Sequence, residues 1–376
     1  MKAFVYHGAN SGSVEERPDP VPAEGELLVE VLVTGICGSD IHGYSGDTGR
    51  RFPGQVMGHE ASGRVIDPNG TPGWAEGDRL TFNPVLGCQE CAECMSGQPN
   101  LCARRSVIGV NAPYTGSFAE RMTLPAWAAV RLPETVSDDG GAVVEPLAVG
   151  LHAVGQAEVH KGDHVAVLGA GMIGLVSAWA ALRAEAAEVF VTDFQHRNLD
   201  LAQSFGATPV DARTSLADAI EAKTGRRTVD RVIDAVGVTE TLSVAMGCAR
   251  RDGTISVVGM GSPTAQISAF ALTVEERTLR GSFCYSPANF YSAIEAISEG
   301  AFNPSIVIDR HIPLDDLPSS MLGLSTGTAS SVKTLVRLTA EASLDSNASP
   351  AANVGADGSA GPHAATGPHS SGSSRA

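Results

Sequence analysis

Three short segments in the first 150 residues carry side chains that bind metal ions. Cys37 lies in GICGSDIH (residues 35–42), His59 and Glu60 follow Gly58, and Glu145 begins a Glu-Pro-Leu run. A thiolate, an imidazole and carboxylates form the ligand set of a zinc ion that keeps one coordination position open for water or substrate. Together they predict a catalytic zinc site. The sequence leaves open which of the two glutamates binds the metal directly and which holds its water.

A second cluster consists of four cysteines within fifteen residues, Cys88-x2-Cys91-x2-Cys94-x7-Cys102. Four thiolates at such short spacing can close a tetrahedron around zinc, and a closed site is structural. The alternative is an iron–sulfur cluster, in which three residues separate the third cysteine from the fourth and proline follows the fourth. Cys102 comes later and precedes Ala103. The spacing therefore favours a structural zinc ion.

A glycine-rich loop, GAGMIG (residues 169–174), follows the apolar run 165–168 and precedes a helical pattern. Its first glycine permits a tight turn, its second lets the backbone approach a pyrophosphate, and its third lets the helix lie close to the sheet. The helix N-terminus then offers free N–H groups to the phosphates. The predicted cofactor-binding residues of this loop are Gly169, Gly171, Met172, Ile173 and Gly174.

Asp193 ends the next strand-like run, close to the spacing at which an acidic residue accepts hydrogen bonds from the adenosine ribose. Its charge would repel a 2′-phosphate, so NAD is the predicted cofactor. Arg197 lies four residues later and keeps NADP as the alternative.

The segments that position these residues show two different patterns of apolar and polar side chains. Residues 2–132 alternate apolar and polar side chains and predict a β-rich domain, after which a helix is expected from its N-cap Ser137 to Ala153. Beyond it, buried strands alternate with helices, which indicates a doubly wound parallel sheet. We expect a catalytic domain at 1–153, an inserted nucleotide-binding domain at 154–286, a return to the catalytic domain at 287–340, and a disordered low-complexity tail at 341–376.

Composition and charge exclude several partners. The formal net charge is −16, so the protein's field would repel nucleic acid and anionic lipid headgroups. Neither a secretory signal nor a spanning helix is visible, which predicts no membrane partner. Clustered cysteines suit a reducing compartment, and we therefore expect a cytoplasmic protein.

These motifs, in this order, closely resemble the zinc-dependent medium-chain dehydrogenases over nearly the whole chain except the tail. The resemblance implies an α/β plus β fold, in which a GroES-like β-rich catalytic domain holds an inserted Rossmann domain. EPLAVGLHA (residues 145–153) resembles the polyol (sorbitol), butanediol and threonine dehydrogenase branch. Animal sorbitol dehydrogenases carry arginine where this chain has Cys284, which makes sorbitol itself a poorer candidate.

The resemblance also implies an activity. We expect NAD-dependent oxidation of a secondary alcohol of a polyol, diol or sugar alcohol to the ketone, with two zinc ions per chain and a dimer or tetramer. Ser39 would pass the substrate proton through the ribose to His42. Threonine or a sugar phosphate is the alternative substrate, with Arg50-Arg51 the local cations, although a solvated role is expected for that pair. A binding member of the fold without catalysis is the remaining alternative, and Phe52, Phe118 and Tyr285 are candidate substrate-pocket residues.

Overall fold

The computed structural model describes residues 1–338, and the expected disordered tail at 341–376 lies outside the described residues. The first part of the chain is β-rich, with short helices between the strands. Its elements are β1 (Lys2–Gly8), β2 (Ser11–Glu16), β3 (Glu26–Gly35), α1 (Gly38–Tyr44), β4 (Glu60–Asp67), β5 (Arg79–Phe82), β6 (Val85–Leu86), α2 (Ala92–Met95), β7 (Ser106–Val107), β8 (Arg121–Pro125), β9 (Ala129–Arg131) and α3 (Asp138–Gln156).

Strands and helices then alternate up to residue 281, and helices dominate the rest. The elements are β10 (His164–Leu168), α4 (Met172–Arg183), β11 (Glu188–Asp193), α5 (His196–Ser204), β12 (Thr208–Asp211), α6 (Leu216–Thr224), β13 (Val229–Asp234), α7 (Thr239–Cys248), β14 (Ala249–Val257), α8 (Ala269–Val274), β15 (Thr278–Gly281), α9 (Pro287–Ser298), β16 (Arg310–Pro313), α10 (Leu317–Ser325) and β17 (Thr334–Arg337).

The alternating part forms a six-stranded parallel sheet in the order β12-β11-β10-β13-β14-β15. This is the strand order of a dinucleotide-binding fold, in which the crevice beyond the carboxyl ends of the strands receives the ligand. Strands β10 and β13, at the reversal of the order, end at Leu168 and Asp234. The predicted doubly wound sheet is confirmed.

The β-rich part forms a seven-stranded sheet in the order β16-β17-β3-β4-β5-β9, with β8 also paired to β3. Strand β17 runs antiparallel to β3, with Leu335 opposite Gly35. The last described strands of the chain therefore lie beside the strand that leads into the Cys37 segment. The expected fold class, a β-rich unit with a parallel-sheet unit, is confirmed.

Helix α3 connects the two sheets in sequence and packs against α4, α9 and β4. Its N-cap is Ser137, whose hydroxyl accepts a hydrogen bond from the Gly140 N–H at 3.1 Å. The predicted cap is confirmed, although the helix continues three residues beyond the expected end, to Gln156. Because α3 is buried along most of its length, it holds Glu145 rigidly inside the protein.

Candidate active site

The antiparallel pair β3 and β4 brings the first two metal-binding segments together. Gly35 ends β3 opposite Glu60, the first residue of β4. Cys37 follows as the N-cap residue of α1, and His59 directly precedes β4. One ligand atom from each of Cys37, His59 and Glu60 lies within 4.8 Å of the other two. Glu145 is not a member of this set, so the geometry favours Glu60 over Glu145 as a direct ligand.

The residues of this cluster fit a divalent metal ion. A thiolate, an imidazole and a carboxylate are a zinc donor set. The Oε1 atom of Glu60 is buried and has no hydrogen-bond partner, although a buried carboxylate oxygen is normally satisfied. The room for this carboxylate comes from Gly35, since a Cβ atom there would lie 2.3 Å from Glu60 Oε2.

Lys333 is a member of this site that the sequence did not reveal. Its Nζ donates hydrogen bonds to Glu60 Oε2 at 2.6 Å and to the Ile36 carbonyl at 3.1 Å. The side chains of Lys333 and Glu60 are only 2% and 1% exposed. Burial disfavours the lysine cation, but the negative charges of Glu60 and Cys37 outweigh that effect and raise the pKa of Lys333. Lys333 therefore supplies a permanent positive charge behind the glutamate.

Asp40 lies behind His59. Its Oδ1 is 3.5 Å from His59 Nδ1, an electrostatic contact rather than a well-aligned hydrogen bond, and its Oδ2 accepts the Cys37 N–H at 3.2 Å. Burial opposes ionisation of Asp40, but His59 and Arg51 outweigh it and hold the pKa of this carboxyl below its ordinary value. A carboxylate on the far nitrogen of a metal-binding histidine fixes the ring orientation.

Arg51 contradicts the expectation of a solvated arginine pair. Its side chain is 2% exposed, and its guanidinium donates to Asp40 Oδ1 at 3.3 Å and to the Ser39 carbonyl at 3.4 Å. Arg50 alone is exposed. A buried arginine that is already paired with a carboxylate is a poor anchor for a substrate phosphate, which weakens the sugar-phosphate alternative.

Glu145 lies in the same buried region but plays a different part. Burial raises the pKa of Glu145 to about 7, with the Glu60 charge adding to the effect and His59 and Lys333 opposing it. Tyr285 is fully buried, and its hydroxyl has no hydrogen-bond partner among the described residues. Burial, reinforced by the Glu145 charge, raises the pKa of Tyr285 well above its ordinary value. Tyr285 and Glu145 form one wall of the candidate site, and this wall therefore offers a neutral hydroxyl and a carboxyl group that can exchange a proton near pH 7.

The two residues expected to carry the proton lie on α1. The Ser39 hydroxyl is 3.4 Å from His59 Nε2, so it borders the metal-binding cluster. His42 is half-exposed, with its Nδ1 3.9 Å from an Asp47 oxygen. Ser39 at the cluster and His42 toward solvent are the two ends that a proton relay requires, and their roles stay predictions.

Of the three candidate pocket aromatics, Tyr285 lies beside Glu145. Phe118 is fully buried in the core of the β-rich unit, where its ring packs edge-on against Phe4 at 6.3 Å. Phe52 is exposed. The expectation that aromatic residues in such strands are as often core as pocket is met by Phe118.

The four-cysteine lobe forms a second cluster, in which one sulfur from each of Cys88, Cys91, Cys94 and Cys102 lies within 4.8 Å of the others. The lobe also contacts the segment that carries Tyr285. The Asn100 side chain donates to the Phe283 carbonyl at 3.2 Å, and the Arg105 guanidinium lies 4.7 Å from the centre of the Phe283 ring. This lobe therefore contacts the segment that precedes Tyr285 in the candidate active site, which its cysteine spacing did not indicate.

The glycine loop has the shape of a phosphate cradle. Gly169 has φ +92°, a left-handed conformation that favours glycine. A Cβ on Gly174 would lie 1.8 Å from the Gly169 carbonyl oxygen, whereas a Cβ on Gly171 would meet nothing within 4 Å. Gly171 therefore faces open space at the helix N-terminus, where a pyrophosphate would lie, and Met172 and Ile173 begin α4 directly after it.

Asp193 ends β11 and is held next to this loop. Its Oδ2 accepts the Ala170 N–H and its Oδ1 accepts the Gln195 N–H, both at 2.8 Å. The carboxylate is partly exposed, and two backbone N–H groups fix its orientation. Both properties suit a group that binds a ribose. The Arg197 guanidinium contacts the Asp309 carboxylate at 2.7 Å.

Comparisons with known proteins agree with this geometry. Residues 23–134 match the family model of the alcohol dehydrogenase GroES-like domain, and residues 173–299 match that of the zinc-binding dehydrogenases. The Arthroderma otae protein named "Probable D-xylulose reductase A" is 32% identical over 347 residues, which cover 89% of this chain and 96% of the relative.

Two solved structures superpose on nearly the whole described chain. An alcohol dehydrogenase from Escherichia coli CFT073, complexed with NADH, has a TM-score of 0.82 at 28% identity and covers 90% of this chain and 99% of its own. A zinc-binding dehydrogenase from Sinorhizobium meliloti 1021, bound to NADP, has a TM-score of 0.81 at 32% identity with the same coverage. Both nicotinamide cofactors thus occur on this fold.

Proposed function

Because this chain belongs to the zinc-dependent medium-chain dehydrogenases, we propose that it oxidises a secondary hydroxyl of a polyol or sugar alcohol to the ketone, with NAD as the oxidant. The observation that carries the proposal is the convergence of the half-buried Cys37 with the buried His59 and Glu60, beside the buried Glu145 and Tyr285. The similarity to the D-xylulose reductase of Arthroderma otae supports a pentitol as the substrate class.

Cys37, His59 and Glu60 would hold the catalytic zinc, and the cysteine lobe would hold a second zinc ion. A bound catalytic zinc acts as a Lewis acid that lowers the pKa of the substrate hydroxyl. The glycine loop and Asp193 would hold NAD, which would supply the hydride acceptor. The protein's own part is to exclude water, hold the carbinol carbon toward the nicotinamide and carry the proton away.

The proton path begins at Ser39. Its hydroxyl, next to His59 Nε2, is placed to accept the proton of a substrate hydroxyl, and His42 lies on the same helix toward solvent. Asp40 lies behind the His59 ring, and Lys333 donates a hydrogen bond to Glu60 within a buried site. Glu145, whose pKa is about 7, would hold the water or second hydroxyl of the substrate.

The Tyr285 hydroxyl is buried beside Glu145 but outside good hydrogen-bond geometry with it, which favours a hydroxyl-rich substrate over an apolar alcohol. A buried hydroxyl without a hydrogen bond costs about 1–3 kcal/mol, and a second substrate hydroxyl would remove that cost. Tyr285→Phe should therefore raise the KM for a pentitol about tenfold while leaving the KM for butan-2-ol unchanged.

The proposal is tested by an NAD-reduction screen over pentitols, hexitols, vicinal diols, sugar phosphates and threonine, with D-xylulose and NADH in the reverse direction. We expect a pentitol to be oxidised, activity to be lost in Cys37→Ser, and elemental analysis to find two zinc ions per chain. Oxidation of threonine or a sugar phosphate alone would contradict the proposed substrate class. Full activity in Cys37→Ser would contradict the assignment of Cys37 to the catalytic zinc site.

We also propose a homo-oligomer built through the nucleotide-binding part of the chain. Met260, Phe270 and Val274 are large exposed apolar side chains in the segment between β14 and the edge strand β15. Exposed apolar patches of this kind mark interfaces between subunits. Light scattering after gel filtration should give a dimer or tetramer, and a monomer would contradict the proposal.

Every helix among residues 1–338 is too short or too polar to span a bilayer. The cytoplasmic location and the domain boundaries stay predictions.

A further inference from the structure

Arg197 is the cation whose position bears on the choice between NAD and NADP. It lies in the first turn of α5, four residues after Asp193. An arginine at this end of the site can neutralise the 2′-phosphate of NADP. Here its Nη2 instead contacts Asp309 Oδ2 at 2.7 Å, across to the loop before β16.

Asp309 is itself firmly held. Its carboxylate accepts hydrogen bonds from the Ser331 hydroxyl, the Val332 N–H at 3.0 Å and the Lys333 N–H at 3.2 Å. The backbone adds a further contact, from the Asp309 N–H to the Lys333 carbonyl at 3.1 Å. The Asp309 side chain is only 9% exposed. The carboxylate therefore cannot follow Arg197 toward a ligand, and a ligand must detach the arginine from it.

The other cation beside Asp193 is also neutralised. Arg213 contacts Asp211 Oδ1 at 3.1 Å, donates to the Phe194 carbonyl at 3.0 Å, and lies 5.3 Å from the centre of the Phe194 ring. The ribose end of the site thus presents the Asp193 carboxylate, and each nearby arginine is paired with another carboxylate. A doubly charged phosphate placed there would meet the repulsion of Asp193, and either arginine would have to leave its carboxylate partner to bind it.

We propose that Asp309 contributes to cofactor specificity by holding Arg197 in an ion pair. Two carboxylates would then disfavour NADP: Asp193 by repelling the 2′-phosphate, and Asp309 by keeping Arg197 from binding it. The inference rests on the proposed function, since it concerns the same nucleotide site. It also makes a distinct statement: replacing Asp193 leaves most of the discrimination in place while Arg197 stays bound to Asp309.

The test measures the dissociation constants of NADH and NADPH by fluorescence titration, which needs no turnover. In an Asp193→Ser background, NADPH binding should improve only slightly. Adding Asp309→Asn should tighten NADPH binding about tenfold further, the effect of one freed charge-assisted contact, and adding Arg197→Gln to that double variant should remove the gain. Asp315→Asn, which removes an exposed carboxylate paired with Lys2, is the matched control for the loss of one negative charge.

The proposal is overturned if Asp309→Asn leaves NADPH binding unchanged in that background, or if the gain survives Arg197→Gln. Should Asp309→Asn fail to fold, Arg197→Gln in the Asp193→Ser background decides alone. Unchanged NADPH affinity then supports an arginine that is held away from the ribose, whereas a fall of fivefold or more shows that Arg197 already binds the phosphate. Loss of NADH binding by the unmodified protein would instead refute the proposed function.

Discussion

Lys333→Met should destabilise the protein far more than the loss of an ordinary lysine. The variant removes the ammonium that donates to Glu60 Oε2 and leaves that buried oxygen without its donor. Breaking a buried ion pair by removing one member costs about 3–5 kcal/mol. For a chain of this size each kcal/mol lowers the Tm by roughly 2 °C, so the expected fall is about 6–10 °C.

The assay is differential scanning calorimetry of the zinc-loaded protein, with Lys2→Met as the matched control. Lys2 forms an ion pair with Asp315 at 3.3 Å, but these side chains are 45% and 66% exposed. Such a surface pair is worth less than about 1 kcal/mol, so the control should shift the Tm by at most roughly 2 °C.

Charge removal can be separated from lost packing by a double variant. Glu60→Gln with Lys333→Met removes both charges, so it should cost clearly less than the sum of the two single variants. A Tm for Lys333→Met within about 2 °C of the unmodified protein, or strictly additive single effects, would refute the buried pair.

The other expectations concern the proton relay, the cofactor loop and the cysteine lobe. Ser39→Ala should lower kcat by about 100-fold with little change in the KM for NAD, which steady-state kinetics would show, and an unchanged kcat would remove Ser39 from the relay. Gly171→Ala should keep the Tm but weaken NADH binding at least about tenfold, because its Cβ enters only the open cradle, while Gly174→Ala should lower the Tm through the clash with the Gly169 carbonyl. Cys91→Ser should lose one of two zinc ions by elemental analysis and lower the Tm, and retention of both ions would argue against its role as a ligand.

Much of the fold and the site could be predicted because the determining signals are local. The four-cysteine lobe and the glycine loop each lie within about fifteen residues, and a few backbone dihedrals set their geometry. The Ser137 cap is likewise a contact of three residues along the chain. Alternating strands and helices fixed the parallel sheet, since connection lengths and buried strands allow few other arrangements.

Arg51 shows where such reasoning failed. An Arg-Arg dipeptide in a polar segment is normally solvated, yet Arg51 is buried against Asp40, eleven residues away. Nothing in the composition of the segment distinguishes the two arginines. The loop path after α1 turns one of them inward, where Asp40 already needs a positive partner.

The sequence by itself determined the kinds of groups this protein brings to its chemistry: thiolate, imidazole and carboxylate ligands, a phosphate loop, and an acidic residue after the second nucleotide strand. Only the tertiary structure decided which of them meet. Lys333 donates to Glu60, which lies 273 residues away in the chain, and Arg197 in α5 contacts Asp309 in the loop before β16. The first pair follows from the register of β17 on β3, and the second from the packing of the nucleotide-binding part against the β-rich part. Both depend on the packing of the whole chain. The sequence around each residue therefore contains no pattern that indicates its partner.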